Sequence, residues 1–155
     1  MEHVTKLRNA LPKDVIATFD KYEKAEQFDA PEYQKAMVEQ FYTRHLCRLN
    51  PWPEPVERVL RNMNPKIGNY MFGPNEIVVT GTLKDWNRWA DLPRIQTRSL
   101  LIGAKYDELP ETDMRKMAAA MPHARAWTSD RGSHFTMWDD QMAYFRELLR
   151  FLKSE

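Results

Sequence analysis

"SLLIGAKYDELPETDMRKMAAAMPHARAWTS", residues 99–129, is the stretch that decides the fold. It opens on an unbroken apolar run, residues 99–103, of the kind that suits a fully buried parallel strand. A polar loop follows. Met114, Met117, Ala118 and Met121 then share one helical face. "ARAWTS", residues 124–129, is a second short strand. Strand, helix and strand in so few residues make a βαβ unit, and a crossover of this kind joins parallel strands. The loop "DRGSH" leads into a last helix carrying Trp138, Met142, Phe145, Leu149 and Leu152.

The chain before this unit reads as helix. Leu11, Val15, Phe19 and Tyr22 form one stripe. Asp29 stands three residues before Glu32, a capping-box spacing, with Pro31 tolerated in the first turn. Tyr33, Met37 and Phe41 recur at steps of four, as do Val38, Tyr42 and Leu46, so this helix is expected to be gripped on more than one side. "NPWPEP" breaks it, because proline lacks the amide a helix needs. Val56, Val59, Leu60 and Met63 mark a third helix, "NYMFGPNE" a turn, and "IVVTGTL" a short strand weakened by Gly81. The expected division is a helical region, 1–85, and an α/β region, 86–155.

Composition narrows the function. Basic and acidic side chains number 23 and 22, for a net charge of +1, and the lysines and arginines are scattered, which gives no electrostatic case for nucleic acid. No apolar run approaches the ~20 residues of a membrane helix. "MEHVTKLRNA" lacks the apolar stretch of a signal peptide, and Cys47 is the only cysteine, so a cytoplasmic location without an internal disulfide is expected. His3, His45, His123 and His134 show no metal-ligand spacing. No metal or other cofactor is expected.

The chemistry gathers where open α/β sheets place it, in loops beyond the carboxyl ends of the strands. Asp107 follows the first strand by four residues and His134 the second by about six. An acid and a histidine at one sheet edge can hydrogen-bond, the carboxylate fixing the imidazole tautomer. The pair is either two-thirds of a nucleophile–base–acid triad or two solvated loop residues. The nucleophile is missing. Ser99, Ser129, Ser133 and Ser154 are the serines, and none is flanked by the glycines of G-x-S-x-G. Cys47 sits in a helical stretch and suits a small buried apolar residue.

"PEYQKAMVEQFYTRHLCRLNPWPEP", "MFGPNEIVVTGTLKDW", "KYDE" and "GSHFTMWDD" together resemble the proline iminopeptidases, also called prolyl aminopeptidases. These are serine hydrolases of the α/β-hydrolase fold with a helical cap. The likeness runs in order from about residue 4 to the C-terminus. It implies that the chain is the C-terminal portion of such an enzyme: most of the cap, then the last two strands. It implies Asp107 as the triad acid, His134 as the base, and Glu76 and Glu108 as carboxylates that hold the free α-amine of the substrate.

Departures from the family stand in "QTRSLL", where V-P-T-L is usual, and in "LPET" after Y-D-E. The oxyanion loop and the nucleophile elbow are expected upstream of Met1. The chain alone is therefore expected to be inactive. Its expected partners are a peptide with a free N-terminal residue, proline above all, and a second chain or missing half that brings the serine. An incomplete sheet is also expected to favour oligomers through its exposed edges. The alternatives are an amino-acid amidase of the same family and a non-catalytic interaction protein derived from the fold.

Overall fold

A computed structural model describes residues 2–154. The chain divides into two compact units. The first takes in residues up to Arg44 together with Asn50–Trp86; the second takes in His45–Leu49 and the residues from Asn87 onward. Among the described residues no helix is long and apolar enough to cross a membrane.

The first unit is helical. Helix α1 spans Glu2–Asn9 and α2 spans Lys13–Lys24. Helix α3, Pro31–Ala36, runs straight into a π-helical turn, Met37–Tyr42, and then into the short α4, Thr43–His45. Helices α5, Glu54–Asn62, and α6, Pro65–Met71, complete it. The stripe read from the sequence is the core: Leu11, Val15, Phe19 and Tyr22 pack with Tyr33, Met37 and Phe41. Phe19 and Tyr33 rings lie 5.3 Å apart.

Several expectations are corrected by the structure. The capping box does not form: Ala30 is the N-cap of α3 and no side chain caps it. Glu32 is otherwise engaged, since its carboxylate accepts from the Tyr22 hydroxyl. The turn expected over "NYMFGPNE" begins later, because residues 69–71 belong to α6. There Asn64 accepts from the amides of Lys66 and Ile67, and Pro65 fills the first turn, where its missing amide costs nothing. On α5 only Val56 is buried; Val59 is exposed, as is Met63 just past the helix end.

"IVVTGTL" is not a strand. The Asn75 side chain accepts from the amides of Ile77 and Val78 and bends the chain. The amides of Thr80 and Gly81 then donate to the Phe72 carbonyl, Thr82 to Tyr70 and Leu83 to Met71. These carbonyls at the end of α6 have no partner within the helix, so the β-branched segment satisfies them and has no ladder of its own. Glycine is needed at 81, because a Cβ there would stand 2.4 Å from the Met71 carbonyl oxygen.

The second unit is α/β. Strand β1, Ser99–Ala104, pairs in parallel with β2, Ala124–Ser129, in a register that sets Ser99 opposite Ala124 and Ala104 opposite Ser129. Helix α7, Glu111–Ala120, makes the crossover, and Gly103 lets Met114 approach the strand closely. Beyond β2 come α8, Thr136–Asp139, and α9, Gln141–Lys153. The single last helix expected from the sequence is broken at Asp140, whose carboxylate accepts from the Ser129 hydroxyl at 2.5 Å.

The strands are half-buried rather than fully buried, as the two-stranded sheet dictates. The apolar stripe of α9 is exposed at Met142, Phe145, Leu149 and Leu152. Helix α9 is anchored instead by charge. Buried Glu147 pairs with Arg125 at 2.9 Å, and Arg98 and Arg125 both stand over the Phe151 ring.

Two measurements check this packing. Gly81→Ala forces a Cβ against fixed backbone and is expected to cost about 1–3 kcal/mol in denaturant unfolding. Tyr33 is fully buried; its hydroxyl accepts from Asn75 at 2.9 Å and donates toward Glu23 at 3.3 Å. Burial, and then the Glu23 charge, push its phenol well above the ordinary tyrosine range. The folded chain keeps a proton that the unfolded chain gives up above about pH 10. Stability is therefore complete below that pH and falls as pH rises further. Tyr33→Phe is expected to flatten this alkaline loss in pH-dependent unfolding.

Candidate active site

The site is built from the two loops that leave the carboxyl ends of β1 and β2. Two bonds knit them: the Lys105 amide donates to the Ser129 carbonyl at 2.9 Å and the Tyr106 amide to Gly132 at 3.2 Å. Asp107 lies in the first loop and is buried; its Oδ1 accepts the Leu109 amide at 2.9 Å, which fixes the carboxylate as a turn residue does. His134 lies in the second loop. Its Nδ1 stands 3.1 Å from Asp107 Oδ1. Because a carboxylate accepts, Nδ1 is the donor in this pair, which places the proton of the neutral ring on Nδ1 and makes Nε2 the basic nitrogen. The His134 side chain is about a third exposed, whereas that of Asp107 is buried.

Glu108 is also buried and brings Oε1 to 3.7 Å from the same Nδ1, beyond hydrogen-bond reach. One oxygen each of Asp107 and Glu108 and a nitrogen of His134 lie within 4.8 Å of one another, a set that could also hold a cation. Asp107 Oδ1 is already committed to the imidazole and to an amide.

The loop of His134 is fixed from below by two serines. Ser129 Oγ accepts from the amides of Arg131 and Gly132 while donating to Asp140. Ser133 is fully buried; its hydroxyl faces the Asp139 carboxylate and the Leu46 carbonyl, and its amide donates to Asp139 at 3.0 Å. Asp139 thus gathers the loop onto α8, a role for the second aspartate region of "HFTMWDD" that the sequence alone did not reveal. Ser99 and Ser154 donate to backbone carbonyls. Every serine hydroxyl is therefore spent on a carbonyl or a carboxylate. Burial pushes the Cys47 thiol above its ordinary range, which leaves little thiolate at neutral pH. Among the described residues, then, the serine hydroxyls are engaged and the Cys47 thiol is buried and held protonated.

Glu76 belongs to the first unit. There its carboxylate accepts from the Tyr42 hydroxyl at 2.9 Å. Both residues line a cavity of about 260 Å³ whose apolar wall includes Met37, Leu60, Met63 and Phe72.

A parallel pair of strands with an acid loop, a histidine loop and a crossover helix defines the C-terminal portion of an α/β-hydrolase. Among such proteins the chain matches the proline iminopeptidases, over their C-terminal half. It is 31% identical to the proline iminopeptidase of Flavobacterium johnsoniae over 148 residues, which is 96% of this chain and 50% of that protein. It is 32% identical to that of Chitinophaga pinensis, over 93% of this chain and 49% of the relative. Among solved structures, the crystal structure of VinJ superimposes with a TM-score of 0.92 at 30% identity, over 98% of this chain and 52% of VinJ. The proline iminopeptidase of Mycobacterium smegmatis superimposes at 0.83 and 31%, over 97% of this chain and 51% of that one. No family model matches the chain. The chain thus spans about half the length of the relatives it matches.

The serine beneath the histidine loop gives a direct test. Ser129→Ala leaves the buried Gly132 amide and the part-buried Arg131 amide without this acceptor and is expected to cost about 1–3 kcal/mol. Hydrogen exchange should show the loss concentrated at Arg131 and Gly132.

Proposed function

We propose that the chain supplies the acid and the base of a serine aminopeptidase that releases an N-terminal residue, proline above all, and that the nucleophile serine comes from a polypeptide outside this chain. The observation that carries the reading is the 3.1 Å pairing of His134 Nδ1 with buried Asp107 at the carboxyl ends of two parallel strands. The relatives from Flavobacterium johnsoniae, Chitinophaga pinensis and Mycobacterium smegmatis support it, since each is a proline iminopeptidase. The helical first unit is proposed as the cap of that enzyme.

The chemistry follows from the orientation of the imidazole, whose Nδ1 faces Asp107. The serine hydroxyl attacks the carbonyl carbon of the N-terminal residue, and His134 Nε2 takes its proton. Asp107 keeps the proton on Nδ1 and stabilises the imidazolium that forms. His134 then hands the proton to the departing amine, which leaves an acyl-enzyme. Water, deprotonated by the same Nε2, releases the amino acid and restores the serine. The substrate's ammonium needs carboxylates, and Glu76 and Glu108 are the proposed pair.

The test uses a proline arylamide. The chain alone is expected to be inactive. Activity is expected on adding a polypeptide that carries the G-x-S-x-G half of a related enzyme. In that mixture His134→Ala and Asp107→Asn should each lower kcat by roughly 10³–10⁴, whereas Glu76→Gln and Glu108→Gln should raise KM for substrates with a free amine. Turnover by the purified chain alone refutes an external nucleophile. A mixture that neither binds nor turns over points to the non-catalytic interaction protein instead.

A further inference from the structure

The segment His45–Leu49 is compact with the second unit although the sequence places it among the helices of the first. Its contacts reach both site loops. The His45 carbonyl accepts the His134 amide at 3.0 Å, and the Leu46 carbonyl accepts the Phe135 amide at 2.8 Å. The His45 imidazole faces the Tyr106 carbonyl at 2.9 Å, and a carbonyl only accepts, so His45 Nδ1 carries the proton.

Arg48 does more. Its guanidinium lies 3.6 Å above the centre of the Tyr106 ring, beside Asp107 in the chain. The same guanidinium donates to the Arg131 carbonyl at 2.9 Å, three residues before His134. Its amide donates to Asp139 at 3.1 Å, the carboxylate that also holds Ser133. One planar, always-charged group therefore spans the acid loop and the base loop. Arginine suits the task because its face stacks on an aromatic ring while its edge donates.

We propose that Arg48 is a positioning residue for the Asp107–His134 pair, and that the strap His45–Leu49 sets the distance between the two loops. The role rests on the proposed reaction, in which that distance decides whether the imidazole carries its proton on Nδ1. A loop shift of about 1 Å is enough to break such a bond and cost two orders of magnitude in rate.

The experiment is nitrogen-15 NMR of the histidine rings in the full chain, without substrate. The wild-type His134 is expected to show a protonated Nδ1 and an unprotonated Nε2. Arg48→Ala is expected to mix the two tautomers and to speed exchange of the His134 and Phe135 amides about tenfold, with exchange in α7 and α9 unchanged. Arg48→Lys keeps the charge and loses the planar fork, so it should fall in between. Should Arg48→Ala fail to fold, Arg48→Lys and Tyr106→Leu carry the same readouts.

Unchanged ring-nitrogen signals in the folded variants overturn the proposal. So does faster exchange spread evenly over the whole unit, which marks a structural role only. In the completed enzyme, Arg48→Ala should lower kcat with KM nearly constant; an unchanged kcat overturns it too. The ring spectra need no turnover, so an inactive mixture counts against the peptidase reading and leaves Arg48 to be judged on the spectra.

Discussion

The parallel pairing of β1 with β2 is the constraint on which the second unit rests. Parallel strands leave the sheet at the same rim, and the register decides how level they leave it. Here Ala104 stands opposite Ser129, the last residue of each strand. The loops therefore start side by side, and a handful of residues brings Asp107 and His134 together. A slip of one residue would turn Ser129 to the opposite face of the sheet and remove the anchor of the histidine loop. The loop bonds from Lys105 and Tyr106 extend this pairing past the end of the ladder.

Covering apolar surface is where the second unit falls short of an ordinary domain. Its strands are half-buried, its last helix shows four large apolar side chains to solvent, and its tightest anchors there are ionic. Buried apolar area is the main favourable term in folding. A unit that withholds so much of it draws unusual weight from hydrogen bonds and cation–ring contacts around one rim. That rim is also where the chemistry is proposed, so order at the site and order of the unit have the same source.

Much of this was legible in the sequence, for identifiable reasons. The βαβ unit announced itself because strands and helices differ in period, and a run such as "SLLIG" has little else to be. The helical stripe of Leu11, Val15, Phe19 and Tyr22 was legible because a wide apolar face needs only local spacing. Asp107 and His134 could be placed at one edge from topology alone. Glu76 and Glu108 could not; they entered through resemblance to a family. What the pattern missed depended on partners distant in sequence. "IVVTGTL" has strand propensity, but the unsatisfied carbonyls of α6 took its amides. Asn64 followed by Pro65 was the available signal for α6. Asp140 looked like the middle of a helix until Ser129 claimed it. The strap at His45–Leu49 left no periodic mark, because its work is done by backbone carbonyls and one arginine.

The turn at Met37–Tyr42 holds one residue more than an α-helix would. The Thr43 amide reaches back to the Val38 carbonyl, five positions away. Each residue advances an α-helix by about 100°, so this surplus swings whatever follows around the axis without lengthening the element much. Tyr42, the last residue of this turn, is the one that donates to Glu76. Shortening the chain there by a single codon would restore ordinary winding and aim the phenol elsewhere, leaving the carboxylate to find another donor. The donor that meets one acidic side chain of the first unit thus stands at the end of a wide turn more than thirty positions upstream.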